Sequence, residues 1–114
     1  MAKHIFITKP GDRVRLDPVD EYNHPPEAVS NFNESAYYNI YDGKQKVGGW
    51  FRIGNRVNEG HAEVSICLYL PDGKVGFMYH RAQITSNAEH SAGGARFEIV
   101  EPFKRQRVTY SGKV

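Results

Sequence analysis

Residues His61 to Arg81 read HAEVSICLYLPDGKVGFMYHR, and this stretch constrains the fold more than any other. Apolar and polar side chains alternate with a period of two on either side of Pro71-Asp72-Gly73, the pattern of two antiparallel strands joined by a tight turn. Two registers are open. A two-residue type I′ turn at Asp72-Gly73 places Leu70 opposite Val75. Val64, Ile66, Leu68 and Leu70 then share an almost dry face with Val75, Phe77 and Tyr79, while Glu63, Ser65, Cys67, Tyr69, Gly76, Met78 and His80 occupy the other face. A three-residue loop with a glycine bulge instead places Leu70 opposite Lys74 and mixes both faces. Pro at the second turn position and Gly at the fourth suit that geometry. A slip of one residue turns over every side chain of the second strand. Burying a large apolar side chain contributes about 1.5–3 kcal/mol, more than local turn preference, so the first register is the expected one. In either register the hairpin presents apolar groups on both sides.

The same period extends through most of the chain. Ser35–Asp42, Val47–Asn55, Ala62–Leu70, Lys74–Ile84, Ala95–Phe103 and Lys104–Gly112 read as strands rich in Tyr, Phe, Val and Ile, with short turns between most of them. TSNAEHSAGG, before Ala95, reads as a polar loop. No apolar pattern holds a helical period for more than a turn or two. The expected fold is all-β, an antiparallel meander of about six strands forming a curved sheet or partial barrel. Residues 1–33 are expected to be an irregular segment preceding a β domain over 34–114. HIFIT could form a short strand there and PPEAVSN one helical turn. Gly48 and Gly49 interrupt the second strand, where glycine marks either a bulge or bend, or a loose strand end.

Charge excludes some function classes. Fifteen Lys and Arg against 13 Asp and Glu give a net charge of +2, without the strong basic excess of a dedicated nucleic-acid binder. The basic run FKRQRVTYSGK reads as an edge strand kept soluble by its cations. No stretch approaches membrane-spanning length. MAKHIFITKPGDR lacks the apolar core of a signal peptide. The single cysteine, Cys67, allows no intrachain disulfide, which fits a cytoplasmic location.

Chemistry-bearing motifs are sparse. There is no phosphate loop, no CxxC pair and no HExxH. His4, His24, His61, His80 and His90 are scattered, so no metal site and no cofactor are expected. The first hairpin register would set Ser65 opposite His80 with Glu63 diagonal, but such strand-face arrangements are mostly solvated polar faces, and nucleophilic serines favour strained turns. Polar groups on otherwise apolar strands are the better signal for a small-molecule site, which needs apolar walls and a few placed polar groups. Tyr37, Asn39, Tyr41, Trp50, Arg52 and His80 are of this kind. With Met78 from the mixed hairpin face, Tyr37, Asn39, Trp50, Arg52 and His80 form the expected ligand-binding set.

NESAYYNIYD, GGWFRIGNRVNEGHAEVSICLYLPDGKV and GARFEIVEPFKRQRVTYSGKV resemble the N-terminal part of hydroxyneurosporene-synthase-like proteins. These are lipocalin-like proteins of the carotenoid 1,2-hydratase type, whose wider relatives include fungal Diels-Alderases. The resemblance implies a lipocalin-like β fold with a cavity for apolar molecules such as isoprenoids or polyketides. Any chemistry it implies would be hydration, cyclisation or isomerisation. No catalytic motif of that family is recognisable here, so no catalytic residue is carried over. Its members have two lipocalin-like domains and are much longer, and VTYSGKV falls where the first domain would still be continuing. About six strands are too few for an open-centred barrel. The chain could collapse into a small filled barrel, fold its N-terminal thirty residues across the open side, or pair with a second copy, and pairing, assisted by the N-terminal segment, is the expected way to complete the core. The alternative function is a non-catalytic structural or dimerisation module.

Overall fold

The computed structural model describes residues 17–114, so HIFIT lies outside the described residues. Among these, seven strands run in chain order: β1 (Glu34–Asp42), β2 (Val47–Arg56), β3 (His61–Tyr69), β4 (Val75–Gln83), β5 (His90–Ala92), β6 (Ala95–Glu101) and β7 (Arg105–Tyr110). The fold is the expected all-β antiparallel meander. It is divided into a four-stranded sheet, β1-β2-β3-β4, and a three-stranded sheet, β5-β6-β7, and no barrel closes.

The additional strand is β5, which lies in the stretch read as a polar loop. Ala92 pairs with Ala95 across Gly93-Gly94, whose φ values of 58° and 85° are those of a two-residue type I′ turn. Only glycine adopts that turn without steric cost, so Gly-Gly here is a hairpin signal.

The β3–β4 hairpin takes the three-residue loop, contrary to the expected register. Tyr69 pairs with Val75, and the Leu70 N–H donates to the Lys74 carbonyl at 2.9 Å. Gly73 takes φ 84° and its N–H donates to the Leu70 carbonyl at 3.0 Å. The Asp72 carboxylate accepts the Lys74 N–H at 3.0 Å. The physical reason is Pro71. A two-residue loop would close on a Pro71–Lys74 pair, and proline has no N–H to give to that pair.

Gly48 and Gly49 form neither a bulge nor a loose end. They pair in unbroken register with Tyr41 and Ile40 on one side and with Tyr69 and Leu68 on the other. A side chain at Gly49 would run into the Cys67 carbonyl, and one at Gly48 into that of Ile40. The two glycines are places of close backbone approach.

The core lies on one face of the larger sheet. Ile53, Ala62, Val64 and Ile66 are fully buried there, and Ala95 and Phe97 of the smaller sheet close over them. The Tyr38 and Phe97 rings meet edge-on, 4.9 Å apart at 74°, a favourable aromatic geometry. Polar bonds fasten the second sheet. Asn55 Nδ2 donates to the Glu89 carbonyl at 2.8 Å, and His90 Nε2 donates to the Glu34 carbonyl at 3.0 Å.

Residues 17–33 run along this assembly. PPEAVSN forms bends and a turn, and the helical turn lies instead at Pro18–Glu21, a 3-10 turn with proline at its start. Asn58 Nδ2 donates to the carbonyls of Glu27 and Val29 at 2.6 and 2.8 Å. Asn23 Nδ2 donates to the Asn87 carbonyl at 2.8 Å, and Asn87 Nδ2 to the His24 carbonyl at 2.7 Å.

Candidate functional site

Strand alternation and the observed register assign every side chain of the larger sheet to a face. The outer face holds three consecutive rows: Tyr41, Gly48, Tyr69 and Val75; Asn39, Trp50, Cys67 and Phe77; Tyr37, Arg52, Ser65 and Tyr79. Four of the expected ligand residues, Tyr37, Asn39, Trp50 and Arg52, are thus brought together. Met78 and His80 are not with them. They point to the inner face, where Met78 packs against the core and His80 lies beside Gly93. The cause is the hairpin register, which turns β4 over. The same turn sets Ser65 opposite Tyr79 and removes the Ser65–His80 pairing.

Phe77, Tyr79 and Val75 were missed as members of this face, and the three-residue turn was the signal that places them there; Tyr69 already shared a face with Ser65 and Cys67 but was left out of the ligand set. Trp50 stacks on Tyr37 with ring centroids 6.2 Å apart and meets Phe77 at 6.0 Å. Charges flank these rows at both ends, with Asp72 and Lys74 in the turn beyond the Tyr69–Val75 pair and a larger cluster at the other end. Arg56 Nε pairs with Glu63 Oε1 at 3.0 Å, and its Nη1 with Glu59 Oε2 at 3.0 Å. The Arg52 guanidinium folds back over Gly54, toward the same end: a Cβ built on Gly54 would lie 2.8 Å from Arg52 Nη2.

A second feature is concave. A groove of about 670 Å³ opens between the edge strand β1 and β6, bounded by the 3-10 turn and the residues that follow it. Inner-face residues Ala36 and Tyr38 of β1 and residues Phe97 and Ile99 of β6 give its apolar wall. Its polar rim is set by short-range bonds. Glu34 takes the His24 N–H on Oε1 at 2.9 Å, and the His24 ring Nδ1 lies 3.0 Å from its Oε2. Glu21 accepts the Phe103 N–H at 3.2 Å and Gln106 Nε2 at 3.1 Å, which ties the 3-10 turn to the β6–β7 hairpin. Arg96 lies between Glu89 and Glu98, 3.9 Å from each. Burial raises the pKa of the Tyr38 phenol, and the charge of Glu21 raises it further. Tyr38 therefore presents a hydrogen-bond donor to the groove at all physiological pH values. None of the expected ligand residues lines this groove. The signal for it was weak, because the wall is assembled from segments far apart in the chain.

Among the described residues no group of three or more His, Cys, Asp or Glu converges as a metal site. No helix there is long and apolar enough to cross a membrane. The model of a domain of unknown function, DUF7064, matches residues 17–114. The chain belongs to the DUF7064 family. That match covers both sheets, the groove and the outer face of this DUF7064 chain. Comparison with curated proteins and with solved structures returns no match.

Proposed function

We propose that this DUF7064 chain is a small-molecule binder. Its ligand has an apolar body and a positively charged end, and its site is the groove between β1 and β6. The observation that carries this reading is the composition of that groove. Its volume of about 670 Å³ is that of a typical ligand pocket. Tyr38, Phe97 and Ile99 offer an apolar wall to the ligand body. Among the described residues, and leaving Asp20 out of the count, the four carboxylates of Glu21, Glu34, Glu89 and Glu98 border it against three basic groups, Arg96, His24 and His90. The excess stays negative even with both imidazoles charged. A cleft lined by one sign of charge concentrates the field and selects the opposite sign, and an aromatic face adds cation–π attraction. A wholly apolar isoprenoid would gain nothing from that rim. The resemblance of the stretch from Asn33 onward to hydroxyneurosporene-synthase-like proteins supports small-molecule binding on a β fold.

The test is a titration of the ¹⁵N- and ¹³C-labelled protein with 4-phenylbutylamine and, separately, 4-phenylbutyrate. The amine is expected to bind saturably, shifting Tyr38 and Phe97 resonances. Paired Glu89→Gln and Glu98→Gln substitutions are expected to weaken it at least about fivefold. Equal binding of the carboxylate, or shifts confined to residues outside the groove, would overturn the reading.

A further inference from the structure

The outer face of the four-stranded sheet is independent of the groove. It is large, aromatic and unpartnered among the described residues. Tyr37, Tyr41, Phe77 and Tyr79 are 57, 63, 57 and 51% exposed, and Tyr69 and Val75 are exposed beside them. At about 200 Å² for a full aromatic side chain, these six offer roughly 600 Å² of accessible surface. That is the upper end of what a monomer carries as its largest apolar patch. With Trp50, Asn39 and Ser65 between them, the face approaches the roughly 800 Å² per partner of a standard stable interface.

We infer that this face pairs with the same face of a second copy of the chain, sheet on sheet about a twofold axis. The patch area is what a second copy needs, and the charge layout admits it. A twofold interface sets each patch against itself, so a patch with a net charge at its centre would repel its copy. Of the three rows, the Tyr41-to-Val75 row beside the turns and the middle Asn39-to-Phe77 row carry no charged side chain, and the Tyr37-to-Tyr79 row carries Arg52 alone. Arg52 is folded toward Gly54, and Arg56, Glu63 and Arg81 lie at the same end of the sheet, as a rim. Aromatic centre and charged rim is the anatomy of a protein–protein interface. The smaller sheet covers only the opposite face, so nothing in the described fold competes for this one.

Sedimentation velocity of the full chain between about 1 and 100 µM, the range in which standard-sized interfaces begin to associate, tests the pairing. Growth of a species of twice 12.9 kDa is expected. Phe77→Lys is expected to raise the dimer dissociation constant at least about tenfold, while Val19→Lys, on the 3-10 turn, leaves it unchanged. Circular dichroism checks that each variant folds, and Tyr79→Arg replaces Phe77→Lys if that variant does not. A wild-type chain that stays at 12.9 kDa up to 100 µM would overturn the inference, whether or not Trp50 is then shielded from iodide quenching by residues 1–16. So would a dimer that survives both outer-face substitutions. Neither result bears on amine binding in the groove.

Discussion

The rings of Trp50 and Phe77 lie 6.0 Å apart although β2 and β4 are not neighbours. β3 runs between them, and its Cys67 is the register partner of both residues. Strands two apart in a sheet are separated by about 9.6 Å, so the two rings lean toward each other over the thiol. This is why Cys67, on a face of exposed aromatics, is itself buried.

Cys67 should therefore react slowly with a thiol reagent in the native protein. Trp50→Ala is expected to speed its labelling at least about tenfold at a protein concentration where the chain is monomeric. An unchanged rate would show that the indole is not what covers the sulfur.

The β3–β4 loop depends on Gly73, whose φ of 84° lies where other residues are strained. Gly73→Ala should cost about 1–2 kcal/mol. For a domain of this size that lowers the Tm by about 4–8 °C per kcal/mol. Gly43→Ala, at a turn position with open space around it and no positive φ, serves as the comparison and should leave Tm within about 2 °C. Equal effects at both positions would remove the special status of Gly73.

Asn87 holds residues 22–24 against the loop before β5, through its side chain to the His24 carbonyl and its carbonyl to the Asn23 side chain. Asn87→Ala removes the first of these bonds in a buried setting, a loss of about 1–2 kcal/mol. Hydrogen exchange read by mass spectrometry should accelerate in the peptide spanning residues 22–33 more than in β2 or β3. Uniform acceleration would mean that Asn87 supports the whole fold rather than this one attachment.

Tyr38 gives a pH dependence with a definite sign. Its folded-state pKa lies above the unfolded value of 10.0, first through burial and then through the charge of Glu21. Folding therefore favours the protonated phenol, so its contribution is complete below about pH 10 and is lost as pH rises through the folded-state value. Thermal stability should fall across that alkaline window in the native chain and fall less in Tyr38→Phe. Glu21→Gln should bring the phenolate transition of Tyr38, followed by its absorbance near 295 nm, back toward the ordinary tyrosine value. No movement of that transition would show that the Glu21 charge does not reach the phenol.

What the amino-acid order determined by itself is the local part of the fold. A period of two over most of residues 34–114, punctuated by DGKQK, PDG and similar turns, is enough to dictate an antiparallel all-β meander, because alternation of side chains is a property of each strand alone. Within each strand it also put Tyr37 with Asn39 and Trp50 with Arg52 on one face, but the Tyr37–Arg52 and Asn39–Trp50 pairing that joins the two strands was settled by the fold. The hairpin after Leu70 shows where this stops. Burial considered one hairpin at a time favours the dry face, but the missing N–H of Pro71 forbids the closing pair, and the aromatic side chains then come together on the outer face. Met78 and His80 left the site for that reason alone. The division into two sheets, the seating of Phe97 on Tyr38 and the groove between β1 and β6 were decided only by tertiary structure. Each joins residues that are distant in the chain, and no local periodicity encodes which strand edge a second sheet will meet.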